Sequence, residues 1–207
     1  ANELEGELKK FYIDANQRKD VYNAYVEYQN NNYQSEKASL SPEEVRYFNH
    51  TMLTYKREGL HLTDPEFIEM KKSLADLQTQ YTTNLNEEKT SFTFTKEELD
   101  GMPESWFNDS RKVDDVHYKM TLKYPDYIPA SKYVHSETVR KQLYFAFNNR
   151  CAKENTPLFE KAVRLRNSIA KKLGYKTHAD FKTEIGIIKN AHYALDFENN
   201  LNGLFTS

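Results

Sequence analysis

Residues Thr121–Phe181 read TLKYPDYIPASKYVHSETVRKQLYFAFNNRCAKENTPLFEKAVRLRNSIAKKLGYKTHADF, and their punctuation decides the fold. Met120 and Leu122 alternate with polar neighbours over Lys119–Lys123, as they would in a half-buried strand. Pro125 and Pro129 then stand close together, and because proline resists both strand pairing and helix, Tyr124–Ala130 is expected to be a fixed, aromatic-rich connector. Ser136 is an N-cap residue, with Val139, Leu143 and Phe147 following at helical spacing to bury one stripe. The next helix is apolar at Leu158, Ala162, Leu165, Ile169 and Leu173, and Gly174 stops it because glycine accepts the left-handed conformation after a helix end. Thr177 and Asp180 open a third helix.

Outward from this stretch, several strings carry a resemblance. TLKYPDYIP, ETVRKQLYFAFNNRCAKENTP and LRNSIAKKLGYKTHADF occur here, and ANQRKDVYNAYVEYQ, KREGLHL and LQTQYTTNLNEEKTSFTFTKEELDGMPESW lie upstream. Together they resemble the thimet oligopeptidase / neurolysin / saccharolysin family of zinc metallopeptidases, in collinear order along nearly the whole chain. The resemblance implies a parent enzyme that hydrolyses short peptides in a deep channel, with a zinc ion polarising the scissile carbonyl. It also implies that the small β element borders that channel.

The chemistry of that family rests on H-E-x-x-H, in which two histidines one helical turn apart hold zinc and the glutamate activates the metal-bound water. This sequence has no such motif. Its histidines are His50, His61, His117, His135, His178 and His192, and the closest two are 11 residues apart. No catalytic, cofactor-binding or metal-binding residue is therefore expected in this chain. The resemblance places the zinc helix downstream of Ser207, so the expectation is an internal segment, incomplete at both ends, that forms scaffold and channel wall without the zinc site. The expected fold class is mainly α, a lobe of long bundled helices with one small β element. Residues 1–90 should be helical, 91–134 should hold the β element and the proline-rich connector, and 135–207 should be helical again, all within one lobe.

The upstream signals agree with a helical chain. Glu3 to about Asn31 reads as a long helix broken near Asp14, with Val21, Tyr25 and Tyr28 on one face; Tyr33–Leu40 reads as a loop. Ser41-Pro42-Glu43-Glu44 combines an N-cap serine, a first-turn proline and a capping-box glutamate, and Gly59 closes the helix that follows. Thr63-Asp64-Pro65-Glu66 repeats that start for another helix, with Phe67, Met70, Leu74, Leu77, Tyr81 and Leu85 at steps of three and four. At about 1.5 Å per residue that helix would approach 40 Å in length. Phe92 and Phe94 then alternate with polar residues as a strand that should pair with Val116–Leu122, and Thr95 and Glu98 cap a turn ending at Gly101. Asn190 caps a last helix bearing Tyr193, Leu195, Phe197 and Leu201. Leu74, Leu77, Leu165 and Ile169 are expected core residues.

Composition narrows the partners. Twenty-nine basic residues against 31 acidic ones give a net charge of −2, so nothing in the charge balance points to nucleic acid or an anionic membrane. No apolar run of about 18 residues could cross a bilayer. A single cysteine, Cys151, cannot form an internal disulfide, which fits a reducing compartment; the expected location is cytoplasmic, or mitochondrial if a targeting peptide lies upstream.

The remaining chemistry has plain structural explanations. The acid pairs Glu43-Glu44, Glu87-Glu88, Glu97-Glu98 and Asp114-Asp115 suit capping and solvation better than acid–base work. Cys151 and His135 flank one predicted helix, about 24 Å apart if it is continuous, too far for a nucleophile and its base. His178 could contact an anion or a partner, although a surface histidine at a helix start is the commoner case. His61 reads as a packing or capping residue. The expected partners are the remaining parts of a parent peptidase and its short peptides. The competing reading is a stand-alone helical interaction module derived from that fold.

Overall fold

A computed structural model describes residues 2–206. The backbone packs as two compact units: residues up to Thr79 together with those from Phe159 onward form the first, and Gln80–Leu158 form the second.

The first unit begins with α1 (Asn2–Ala15) and α2 (Lys19–Asn31), so the expected long helix is broken, at residues 16–18. The segment expected to be a loop after Asn32 contains one helical turn, α3 (Tyr33–Glu36). Burial explains it: Tyr33 is 4% exposed and its ring stacks on Phe48 at 4.3 Å, which holds the backbone in a turn that its own signals only weakly favour. α4 (Pro42–Glu58) starts as expected, Ser41 and Glu44 exchanging hydrogen bonds in a capping box. It ends at Gly59, φ 83°, where the Gly59 and Leu60 amides donate to the carbonyls of Lys56 and Tyr55. A side chain at Gly59 would meet the Phe67 ring at 2.3 Å, so both the conformation and the space require glycine.

α5 (Pro65–Glu87) runs from the first unit into the second, with Asp64 accepting from the Glu66 amide at its start. α8 (Ala152–Lys172) returns and ends in the same hydrogen-bond pattern at Gly174, φ 90°. α9 (His178–Thr183) has the expected Thr177–Asp180 capping box, and Asn190 caps α10 (Ala191–Phe205). Of the four expected core leucines and isoleucines in this unit, Ile169 is buried, at 8% exposed, while Leu74, Leu77 and Leu165 are half-buried. Leu74 packs against the Phe67–Ile169–Leu173 cluster and also borders an open cavity. The buried cluster here is Phe67, Ile169 and Leu173.

In the second unit, β1 (Ser91–Thr95) pairs antiparallel with β2 (His117–Thr121), Ser91 opposite Thr121 and Thr95 opposite His117. Thr95 and Glu98 cap the turn after β1 by the reciprocal bonds expected of them. A short 3₁₀ turn (Glu104–Trp106) follows, inserting Trp106 into the core.

The proline-bounded stretch departs from expectation. Tyr124–Tyr133 is a helix, α6, not a connector. Pro125 falls in its first turn, where a backbone N–H would have no helical partner anyway. Pro129 removes one interior hydrogen bond, and the helix persists because Asp126, Tyr127 and Ala130 are buried along one side of it. Tyr127 stacks flat on Phe147 at 3.8 Å, which fixes α6 against α7 (Glu137–Asn148). The core runs through Phe94, Leu99, Trp106, Met120, Ala130, Val139 and Leu143.

Candidate functional site

A cavity lies in the first unit, among α1, α4, α5, α8 and α9. Its volume is about 590 Å³, inside the range of pockets that hold small molecules. The floor is apolar because the stripes of α5 and α8 converge there: Phe67, Leu74, Ile169 and Leu173 are joined by Phe181 of α9. The rim is largely cationic, with Lys9, Arg57, Lys71, Arg166 and Lys182 against Glu58.

Arg57 shapes one wall. Its guanidinium lies 4.0 Å over the Phe181 ring, donates to the Phe181 carbonyl at 2.7 Å and pairs with Glu184 at 2.8 Å. Glu184 also accepts from the Tyr175 hydroxyl, so α4 and the α8–α9 corner are latched together. Lys71 pairs with Glu58 and Lys9 with Glu5. His178, at the first position of α9, is half-buried in the wall, with an Nδ1 that has no hydrogen-bond partner. Burial, with Lys182 and Arg166 adding to it and a backbone contact with Arg166 opposing, holds its imidazole below the ordinary histidine value. The surface helix-start explanation therefore does not describe it.

The other residues with chemical potential are dispersed and locally occupied. His135 Nδ1 lies 3.0 Å from Asp100 and His117 Nδ1 2.9 Å from Asp114; exposed His192 meets Asp196 on its own helix. Exposed His61 follows the end of α4. Cys151 donates its thiol to the Asn84 carbonyl at 3.2 Å. Burial, with Glu88 and Glu154 nearby, pushes that thiol up and makes it a poor nucleophile. Glu44 and Glu98 cap, Glu88 accepts from the Thr90 amide, and Asp114 accepts from the Val116 and His117 amides. Among the described residues no group of three His, Cys, Asp or Glu side chains is placed to hold a metal ion. The donor set present therefore does not fit a zinc site, and no step of a zinc mechanism can be written on these residues.

The second unit holds a buried carboxylate that the motif reading missed. Asp126, 6% exposed, accepts from Trp106 Nε1 at 3.1 Å, Arg111 Nε at 3.0 Å, the Thr121 amide at 3.0 Å and the Thr121 hydroxyl at 2.6 Å. Burial pushes its carboxyl up, but these donors outweigh burial and hold it below the usual carboxylate range. Both oxygens accept hydrogen bonds, so this is a structural knot joining β2, α6 and the Trp106 turn. Its one sequence signal was an acidic residue in the first turn of a helix, hidden by reading YPDYIP as a connector.

The profile of the family described as Peptidase family M3 matches residues 130–206, the end of α6 through α10. The chain is 33% identical over 213 aligned residues to a thimet-like oligopeptidase of Dictyostelium discoideum, covering 100% of this chain and 31% of that protein. It is 29% identical to saccharolysin of Saccharomyces cerevisiae, over 94% of this chain and 28% of that one. The chain belongs to peptidase family M3. Oligopeptidase A of Haemophilus influenzae is a more distant M3 relative, 24% identical over 94% of the chain and 31% of its own length. The chain thus spans about 30% of the length of these M3 relatives. The cavity residues of α8 and α9 fall inside the M3-matched segment, whereas those of α1, α4 and α5 fall outside it. Among the described residues no helix is long and apolar enough to cross a membrane.

Proposed function

We propose that this chain is a scaffold segment of a zinc-dependent M3 oligopeptidase, part of one lobe and of the channel wall, with no catalytic or zinc-binding residue of its own. The observation that carries the proposal is the match to oligopeptidases along 100% of the chain within only 31% of the relative's length, combined with histidines that, among the described residues, join no metal-holding group. In this reading the helices present one wall to short peptides, while the metal, the activated water and the general base come from the rest of the parent. The oligopeptidase relatives support peptides as the parent's substrates, the charge balance gives no footprint for nucleic acid or an anionic membrane, and the single cysteine supports a cytoplasmic setting, with a mitochondrial one requiring an upstream targeting peptide.

A stand-alone helical interaction module is the competing reading, favoured by the apolar side chains left exposed on α10, among them Leu204 at 75% and Phe205 at 86%. The test is an assay of the purified chain with a quenched fluorescent peptide and added zinc, with metal content measured in parallel. The scaffold reading expects no hydrolysis and no stoichiometric zinc, together with co-purification of a chain containing H-E-x-x-H from its natural source. Chelator-sensitive cleavage by the pure chain would overturn it; isolation from that source without such a chain would favour the module.

A further inference from the structure

The cavity of the first unit combines apolar side chains with unneutralised positive charge. We propose that it binds a small apolar carboxylate, with the apolar body on Phe67, Leu74, Ile169, Leu173 and Phe181 and the carboxylate held by Arg166 and Lys182. The same chemistry has two sources, the free C-terminus of a short apolar peptide and a medium-chain fatty acid. It holds whether or not the chain serves a peptidase.

Charge placement carries the assignment. Of the five cations around the cavity, three are already neutralised: Lys9 by Glu5 at 2.7 Å, Arg57 by Glu184 at 2.8 Å and Lys71 by Glu58. Glu58, the acidic side chain in the lining, is thereby spent on Lys71. Arg166 and Lys182 line the same cavity and have no carboxylate partner among the described residues. A carboxylate in the cavity would meet the charge of both, and the water expelled from the floor would supply the rest of the affinity. A cationic ligand would face repulsion from the same pair, and a neutral apolar one would leave both unanswered. The volume of about 590 Å³ accommodates a body of several residues or a short alkyl chain.

The experiment titrates the 207-residue chain by calorimetry with decanoate and with the tripeptide Ala-Ala-Leu, using decanol and the tripeptide amide as uncharged counterparts. Saturable binding of at least one acid is expected, its uncharged counterpart binding roughly tenfold more weakly or worse. R166Q should weaken the acid by about the same factor. K182E, on an exposed side chain that threatens no packing, should weaken it at least as much. The titration of the His178 ring, followed by NMR, should move to higher pH in the presence of the bound acid, a response that a merely structural role would not give. The acid that binds more tightly names the source. Binding of neither acid, equal binding of the uncharged counterparts, or undiminished binding by a folded R166Q/K182E variant would overturn the proposal.

Discussion

The two units solve the same burial problem differently. In Gln80–Leu158 the core is closed, with Leu99, Met120, Ala130 and Leu143 at 0% exposure and the one buried carboxylate saturated by four neighbouring donors. In the other unit the buried cluster is small, Leu74, Leu77 and Leu165 are half-covered, and one side of α5 faces a cavity. Both use well-capped helices, so capping does not distinguish them. What differs is how completely each apolar stripe is covered: α8 packs on α5 through Phe67, Ile169 and Leu173 but leaves Leu74 beside the cavity.

The largest effects should come from truncating the closed core. Leu143→Ala is expected to destabilise the chain by about 2–5 kcal/mol in urea denaturation, whereas Leu165→Ala should cost less than about 2 kcal/mol. Equal losses would break the contrast between the units. Asp126→Asn comes next, at about 2–3 kcal/mol at neutral pH, because the half-covered Arg111 guanidinium loses its anion and the Thr121 donors lose their charged acceptor. The folded Asp126 carboxyl titrates below the unfolded one, so its contribution is complete above the ordinary carboxylate value, near pH 4, and is lost as pH falls through the lower folded value. The gap between wild type and Asp126→Asn should therefore narrow on acidification, in denaturation series from about pH 5 to pH 2.

Glycine substitutions sharpen the comparison at helix ends within one unit. Gly59→Ala should cost about 2–3 kcal/mol, from a positive φ and a collision with the Phe67 ring at 2.3 Å. Gly174→Ala should cost only about 1 kcal/mol, because its φ of 90° is as unfavourable but nothing lies within 4 Å. The smallest effect is Ser41→Ala, about 1 kcal/mol by thermal melting, since the cap is exposed and Glu44 alone loses its partner there. His178 adds a pH signature of the opposite sense to a paired histidine. Its folded value lies below the unfolded one, so stability should fall as pH drops below about 6.5 and level off beneath the folded value. His178→Gln should reduce that slope, the remainder coming from His61, which burial also holds low.

Legibility followed the range of the interaction. Caps at Ser41, Thr95, Ser136, Thr177 and Asn190 and the stops at Gly59 and Gly174 were all written in residues within a few positions of one another, and each strand of the pair was marked by its own alternation. The same is true of the family, which several collinear strings declared. α6 was missed because proline statistics describe the local cost alone, and burial of Asp126, Tyr127 and Ala130 against distant elements exceeds the loss of one hydrogen bond.

By itself, then, the sequence determined most of the helix caps and stops, the single small sheet, membership of the M3 family and the wide spacing of the histidines, because each depends on local preference or on spacing along the chain. Only the tertiary structure decided which stripes are covered, that Asp126 is a saturated buried anion, and that Arg57, Arg166, His178 and Lys182 share one cavity with the α5 stripe. Residues separated by more than a hundred positions meet only when the chain has closed on itself, as the bond from Arg57 to the Phe181 carbonyl shows, and no periodicity along the sequence encodes the distance between them.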